Sequence, residues 1–208
     1  MREAPAKAAR AAAAPPAAAA AAAARAEDAG AAWAQVLGKQ LVRHTGSGVE
    51  RVDTAEALRG KHVGLYFSAH WCPPCRQFTP RLADTYTKLT KDDVEWEVVF
   101  VSFDRAPEQF EEYFGSMPWL AVPFDDQQLR DTLGRKFRVQ GIPSLVMMGP
   151  DTTILCANAR AAVAVDPNGA KFPWEGASEP RGFPLPWMLL AILVFWLIQV
   201  FVLPRKGQ

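Results

Sequence analysis

The feature that most constrains the fold of this chain is a pair of cysteines, Cys72 and Cys75, separated only by two prolines. The apolar residues 63–68 before the pair predict a buried strand, and residues 76–82 after it predict a helix. A C-x-x-C sequence at a strand-to-helix junction is typical of a thiol–disulfide redox site. We therefore expect Cys72, at the helix N-terminus, to be an exposed catalytic nucleophile and Cys75 to be the shielded resolving cysteine.

Composition narrows the classes of function that the chain can serve. Its 208 residues carry a net charge of +1 and three cysteines. This length favours one globular domain with additional segments, and the balanced charge predicts no nucleic-acid partner. Three cysteines are too few for a secreted disulfide framework, and we expect Cys156 to be an inert core residue. No second C-x-x-C or H-x-x-x-H completes a zinc site, so we expect no metal and no cofactor.

Both ends of the chain differ in composition from its middle. Residues 1–34 contain 21 alanines and predict a disordered or weakly helical low-complexity tail. Residues 177–184 form a linker rich in proline and glycine. Residues 185–203 are nineteen residues without a charge, and at a helical rise of about 1.5 Å they come close to spanning a membrane core of about 30 Å.

The apolar stretch 185–203 therefore predicts a single-pass C-terminal membrane anchor, with a long buried helix as the alternative. Since only a few residues follow it and no N-terminal signal precedes the domain, we expect the globular residues 35–176 to face the cytosol. Which membrane carries the anchor is left open by the sequence.

Between these ends, strand and helix patterns alternate along the chain. The unbroken apolar run 98–101 predicts a central strand that is covered on both faces. Apolar residues spaced by three and four after Cys75 predict one buried face of a helix, which contains Pro80. Alternation that ends in a hairpin predicts an α/β domain with a mixed central sheet. The other predicted elements are a short helix leading into a strand at 32–43, an edge strand at 49–52, helices at 107–114 and 127–137, and the hairpin 145–148 with 153–156.

Several stretches resemble the thioredoxin superfamily, and within it the tryparedoxin and nucleoredoxin group. They are Tyr-Phe-Ser-Ala-His-Trp-Cys-Pro-Pro-Cys-Arg at 66–76, Met-Pro-Trp-Leu-Ala-Val-Pro-Phe at 117–124, Ile142-Pro143, and Phe-Pro-Trp at 172–174. The resemblance covers residues 35–176. It implies a thioredoxin-like fold, with a central mixed β-sheet flanked by helices, and the activity of a protein-disulfide reductase.

The resemblance also implies roles for residues around the cysteine pair. Pro143 matches the family's cis-proline, which leaves the backbone of Ile142 free to pair with an extended substrate. Arg160 matches an arginine of the substrate-contacting surface, although it is equally consistent with a simple surface charge. Trp119 is a candidate for substrate contact or for core packing. The candidate substrate-binding set is Trp71, Pro73, Pro74, Trp119, Ile142, Pro143 and Arg160.

Three positions depart from the family pattern. Tyr66 stands where thioredoxins carry a buried aspartate, and His70 stands where the group has serine. Both are candidate modulators of cysteine reactivity, and a solvated loop residue is the alternative for His70. Arg105 stands where tryparedoxins have a glutamate that helps to hold the polyamine part of trypanothione. We therefore expect glutathione or a thioredoxin-type dithiol, rather than trypanothione, to be the electron donor.

These observations predict a membrane-anchored thiol–disulfide oxidoreductase that reduces protein disulfides through Cys72 and Cys75. Two other functions remain open at this point. One is a regulatory binding module of the nucleoredoxin type, in which the redox state of the cysteine pair switches partner association. The other is a lumenal disulfide oxidase or isomerase, because the direction of exchange follows the compartment.

Overall fold

The computed structural model describes residues 16–46 and 48–176, which form a mixed sheet covered by helices on both faces. The elements are α1 (Pro16–Leu37), β1 (Gln40–His44), β2 (Val49–Asp53), α2 (Thr54–Ala57), β3 (His62–Ser68), α3 (Pro73–Lys91), β4 (Trp96–Ser102), α4 (Pro107–Phe114), β5 (Leu120–Ala121), α5 (Gln127–Lys136), β6 (Ser144–Met148), β7 (Ile154–Cys156) and α6 (Ala159–Val165).

The sheet has seven strands in the order β2-β1-β5-β4-β3-β6-β7. Strand β3 pairs parallel to β4, with Tyr66 opposite Phe100, and antiparallel to β6. Strands β1, β2 and β7 complete the antiparallel edges. The predicted α/β fold with a mixed central sheet is confirmed. Because β3 and β4 are parallel, their carboxyl ends lie side by side, and the cysteine pair follows one of these ends.

Two hydrophobic clusters lie on opposite faces of the sheet. Along β4, Val98 and Phe100 point into the cluster covered by α3, α4 and α6, while Val99 and Val101 point into the cluster covered by α1, α2 and α5. Successive strand residues point to opposite faces, so a strand buried on both faces needs an unbroken apolar run. This is why the 98–101 run correctly predicted a central strand.

The N-terminal prediction needs a correction. Helix α1 begins at Pro16, so the predicted boundary after residue 34 lies inside a helix. Its last turns belong to the fold, because Trp33 and Leu37 are fully buried. A Cβ added at Gly30 would lie 2.5 Å from the carbonyl oxygen of Ala55, so α1 and α2 pack with their backbones close together. Alanine favours helix, which agrees with the weakly helical alternative for the tail from Pro16 onward. Trp33 lies in the helix predicted to open at residue 32, and α1 extends that helix towards the N-terminus.

Two short elements were absent from the prediction. Strand β5 lies within the proline-bounded 117–124 segment and pairs with β1 and β4 through only two residues. Helix α6 has seven residues and is capped at its N-terminus by Asn158. Among the residues that the structure describes, no helix is long and apolar enough to cross a membrane. The predicted anchor at 185–203 and the linker at 177–184 lie outside those residues.

Candidate active site at the start of helix α3

The cysteine pair lies at the first turn of α3, as predicted. Cys72 is the N-cap residue, its sulfur is joined to that of Cys75, and its Sγ accepts a hydrogen bond from the Cys75 N–H at 3.3 Å. Pro73 and Pro74 occupy the first two helical positions and have no N–H to donate. The first turn of the helix therefore offers this sulfur one N–H group, that of Cys75.

Cys72 is less exposed to solvent than the sequence predicted. Cys75 is fully buried, but Cys72 is also only 4% exposed. Ala69, Phe103 and Ile142 pack around the two cysteines, which explains the low exposure of the predicted nucleophile. The neighbouring Trp71 is 45% exposed and is the large apolar side chain that this turn presents to solvent.

The Ile142–Pro143 bond is cis, as the resemblance implied. Pro143 is buried, and the carbonyl oxygen of Ile142 lies 3.7 Å from Cys72 Sγ. The two segments that the resemblance assigns to substrate contact, one before α3 and one before β6, are therefore adjacent in space.

Three hydrogen bonds hold the loop between β3 and α3. Asp104 Oδ1 accepts from the backbone N–H of His70 at 2.7 Å, and Arg76 donates to the His70 carbonyl at 2.6 Å. Trp71 Nε1 donates to the carbonyl of Phe103 at 3.1 Å. Asp104, which is 5% exposed, was not assigned a role from the sequence. Asp104 follows the end of β4, which is parallel to β3, and this position was the signal that could have identified it as a site residue.

A chain of four hydroxyl groups lies behind Cys75. Thr79 Oγ1 donates to the carbonyl of Cys75 at 3.0 Å. With its proton used there, Thr79 accepts from Tyr66, at 2.7 Å, and from Tyr113. Ser68 then donates to the Tyr113 hydroxyl at 3.1 Å. The four side chains come from β3, α3 and α4, so the network fixes the first turn of α3 against the sheet and the neighbouring helix.

Tyr66 is a neutral hydrogen-bond donor in this network. Burial, followed by the proximity of Tyr113, raises the pKa of Tyr66 well above its ordinary value. Its hydroxyl reaches the cysteines through Thr79. Tyr66 therefore stabilises the turn as an uncharged side chain and does not supply a base at neutral pH.

His70 lies with its ring towards α4. The ring centroid is 5.7 Å from that of Tyr113, and Nδ1 is 3.8 Å from a carboxylate oxygen of Glu112. The backbone of His70, held by Asp104 and Arg76, is the part that shapes the loop beside the cysteines.

Of the two alternatives for Trp119, the structure supports core packing, so its inclusion in the candidate substrate-binding set is corrected. It is 2% exposed, and its ring packs edge-on against Tyr66 and Tyr86 in the core. It therefore supports the sheet from within and does not contact substrate. Arg160 is exposed at the start of α6. The guanidinium carbon of Arg105 lies 5.3 Å over the Trp71 ring.

The third cysteine lies apart from the hydroxyl network, and the described residues offer no candidate metal site. Cys156 is 2% exposed in β7, and burial raises the pKa of its thiol. Within residues 16–46 and 48–176, no group of three or more His, Cys, Asp or Glu side chains is placed to hold a metal ion.

Comparison with known proteins places these features in context. A family model described as thioredoxin-like matches residues 60–154. Mouse nucleoredoxin is 42% identical over 141 residues, which are 68% of this chain and 32% of that protein. Tryparedoxin of Trypanosoma brucei brucei is 49% identical over 121 residues, which are 57% of this chain and 82% of the relative. The chain thus spans about a third of the length of mouse nucleoredoxin.

A solved structure of tryparedoxin II complexed with glutathionylspermidine is also similar. It has 37% sequence identity and a TM-score of 0.61, and the match covers 66% of this chain and 93% of that one. The similarity therefore extends over nearly the whole of a tryparedoxin domain.

Proposed function

The chain belongs to the thioredoxin-like family, in the group of the nucleoredoxins and tryparedoxins, and from this premise we propose that it reduces protein disulfides through Cys72 and Cys75. The observation that carries the proposal is the joined cysteine pair at the start of α3. The N-cap sulfur receives the single N–H of that turn and lies beside the carbonyl of Ile142.

The proposed cycle begins with the reduced pair. The Cys72 thiolate, favoured by the helix N-terminus, attacks one sulfur of a substrate disulfide, and the other substrate sulfur leaves and takes up a proton. Cys75 then loses its proton and attacks Cys72 Sγ, which breaks the mixed disulfide and releases the second substrate thiol. Two electrons have passed to the substrate, and two thiol groups of a donor return them to the Cys72–Cys75 disulfide.

Substrate positioning in this proposal uses both adjacent segments. An extended substrate chain pairs with the backbone at Ile142, and the exposed ring of Trp71 covers its apolar side chains. Pro73 and Pro74 keep the turn rigid, and Asp104 holds the loop that carries Trp71.

An insulin-disulfide reduction assay with dithiothreitol tests the reaction. We expect wild-type protein to accelerate reduction, Cys72→Ser to be inactive, and Cys75→Ser to accumulate a mixed disulfide with substrate. Equal rates for wild type and Cys72→Ser would refute the proposal. Redox-dependent capture of a partner without turnover would instead favour the binding-switch function.

The donor in this proposal is glutathione or a thioredoxin-type dithiol. Arg105 places a guanidinium over Trp71, the residue next to Cys72, so the ammonium groups of a polyamine conjugate would meet a like charge there. One related tryparedoxin has been solved in complex with glutathionylspermidine, which makes that conjugate the informative comparison.

We expect Arg105→Glu to raise the rate with glutathionylspermidine, relative to glutathione, by about tenfold at low salt, and Arg105→Gln to raise it by less. The ratio of the two donor rates is the measurement. An unchanged ratio in Arg105→Glu would contradict the assigned role of this charge.

We further propose that residues 185–203 anchor the protein in a membrane with the redox domain on the cytosolic side. The support is the uncharged nineteen-residue stretch itself. Full-length protein should stay with membranes in alkaline carbonate, and a variant truncated after residue 184 should not. Protease protection with tags at both ends tests the side, and a protected redox domain would contradict the cytosolic orientation.

A further inference from the structure

A cavity of about 680 Å³ lies against the segment before β6 that contacts the cysteine pair. It lies where the end of α5, the segment before β6, strand β7 and the start of α6 meet. Phe137, Val139 and Ile154 give it an apolar wall, and Ile154 is 55% exposed. Its charged lining residues, within the described part of the chain, are all cations: Lys136, Arg138 and Arg160.

These three cations have no carboxylate to neutralise them. All three are exposed, and none has an acidic oxygen within 4 Å among residues 16–46 and 48–176. A second cavity, lined by Phe103 and the end of β4, has a different composition. There Asp104, Asp125 and Asp131 accompany Arg105 and Arg130. The lining whose charged residues are all cations thus belongs to the first cavity, since the adjoining cavity that shares Arg138 also contains Asp131.

The cationic cavity adjoins the reactive sulfur. Gly141 and Pro143 line it, and the carbonyl oxygen of Ile142 between them lies 3.7 Å from Cys72 Sγ. Arg138 is four residues before Ile142, so its Cα lies within about 14 Å of that of Ile142. An extended substrate bound at Ile142 thus reaches the cations within about four residues of its own cysteine.

We propose that this surface selects polypeptide disulfides whose cysteines are flanked by aspartate or glutamate within about four residues. The inference rests on the proposed reductase function and names its substrate class. Carboxylates of the substrate pair with Lys136, Arg138 and Arg160 at the rim, and an apolar side chain between them covers Ile154. Since each pair is exposed to solvent, the preference is modest and depends on salt.

Matched disulfide peptides test the preference. Three peptides of one extended sequence carry glutamate, serine or lysine on both sides of the cysteine, and initial rates of reduction are compared at low and high salt. We expect the glutamate peptide to exceed the lysine peptide in kcat/KM by on the order of tenfold at low salt, with the difference falling as salt rises. Equal rates, or a difference indifferent to salt, would overturn the inference.

A charge-removal variant links the preference to this cavity. Lys136→Ser with Arg138→Asn removes two cations, and asparagine suits the positive φ of 51° at position 138. Arg59→Ser with Lys91→Ser removes the same charge from exposed positions outside the cavity. The ratio of glutamate-peptide to serine-peptide rates should fall severalfold in the first variant and stay at the wild-type value in the second. A ratio that falls equally in both would overturn the inference.

Two further results separate this inference from the proposed function. Failure of wild type to reduce any peptide would refute the reductase function itself, whereas Cys72-dependent reduction of all three at equal rates would refute only the substrate class. Glutathione disulfide supplies carboxylates without a polypeptide. If it, and not the glutamate peptide, loses rate in the Lys136→Ser/Arg138→Asn variant, the polypeptide assignment is overturned.

Discussion

Two hydrogen-bonded tyrosines lie towards opposite ends of α3 and have different partners. Beneath the redox turn, Tyr66 contacts the hydroxyl of Thr79 at 2.7 Å. Near the other end, Tyr86 donates to a carboxylate oxygen of Glu97 at 2.9 Å. Burial is the main cause that raises the pKa of both tyrosines, so both remain neutral donors, and the difference lies in what they donate to.

The hydrogen-bond partner of each tyrosine decides whether the stability at that end of α3 depends on pH. The network below the cysteines consists of hydroxyl groups with no ionised member. Glu97 is 8% exposed, and its burial raises its pKa despite bonds from Tyr86 and the Val98 N–H and a 3.9 Å approach of Lys61. A neutral network keeps the redox turn in place whatever the charge of the cysteines, whereas the far end carries a buried charge whose cost depends on pH.

The largest effect should come from removing the centre of the hydroxyl network. Thr79→Val leaves the Tyr66 and Tyr113 hydroxyls without their acceptor and removes the bond to the Cys75 carbonyl. We expect the free energy of unfolding to fall by about 2–3 kcal/mol, measured by urea denaturation. Thr90→Val is the matched control, because Thr90 makes the same bond to the carbonyl four residues earlier at an exposed site. It should change stability by less than about 0.5 kcal/mol.

The next effect should come from the other end of the helix. Tyr86→Phe removes the hydroxyl donor from Glu97, and a hydrogen bond to a charged group is worth about 1.5–3 kcal/mol. We expect a loss near the lower end of that range at pH 7. The loss should shrink as pH falls through the raised pKa of Glu97, because the protonated carboxyl no longer needs the donor. A loss of equal size at pH 7 and pH 4 would contradict this.

The sequence was sufficient for the framework of the molecule but not for either network. The apolar run 98–101 and the spacing of Phe78 and Leu82 are local patterns in the sequence. They were therefore sufficient to predict β4 and α3 correctly. Strand β5 was missed because two residues carry no period, and it exists only through its pairing with β1 and β4.

The candidate site was predictable where it is local. The C-x-x-C and its helix are contiguous, and the cis bond before Pro143 followed from a resemblance. The contact of Thr79 with Tyr113 joins residues 34 positions apart, and that of Asp104 with His70 also joins residues 34 positions apart. The position of Asp104 after β4 was a signal for that residue, but no pattern in the sequence identifies its partner or that of Thr79, because both contacts depend on how loops and helices pack.

A smaller effect, and one without pH dependence, is expected for Tyr66→Phe. It removes one donor and leaves Thr79 its bond from Tyr113. We expect a loss of about 1 kcal/mol that is constant between pH 5 and pH 8, as no ionised group is involved. A loss as large as that of Thr79→Val, or one that varies across this range as in Tyr86→Phe, would remove the distinction between the two ends of α3.

The smallest effect, and the only gain in stability, is expected for Glu97→Gln. The amide oxygen still accepts from Tyr86 and from the Val98 N–H, while the buried charge is lost. Since burial raises the folded-state pKa of Glu97, its stabilising contribution is complete below the unfolded-state pKa and is lost as pH rises through the folded value. The variant should therefore have a larger free energy of unfolding than wild type at pH 7, by less than about 1 kcal/mol because the attraction of Lys61 is also lost. The free energies of unfolding of the two proteins should converge as pH falls below the ordinary glutamate range. If the glutamine variant, relative to wild type, were less stable at pH 7 than at pH 4, Tyr86 and Lys61 would more than offset the burial of this charge.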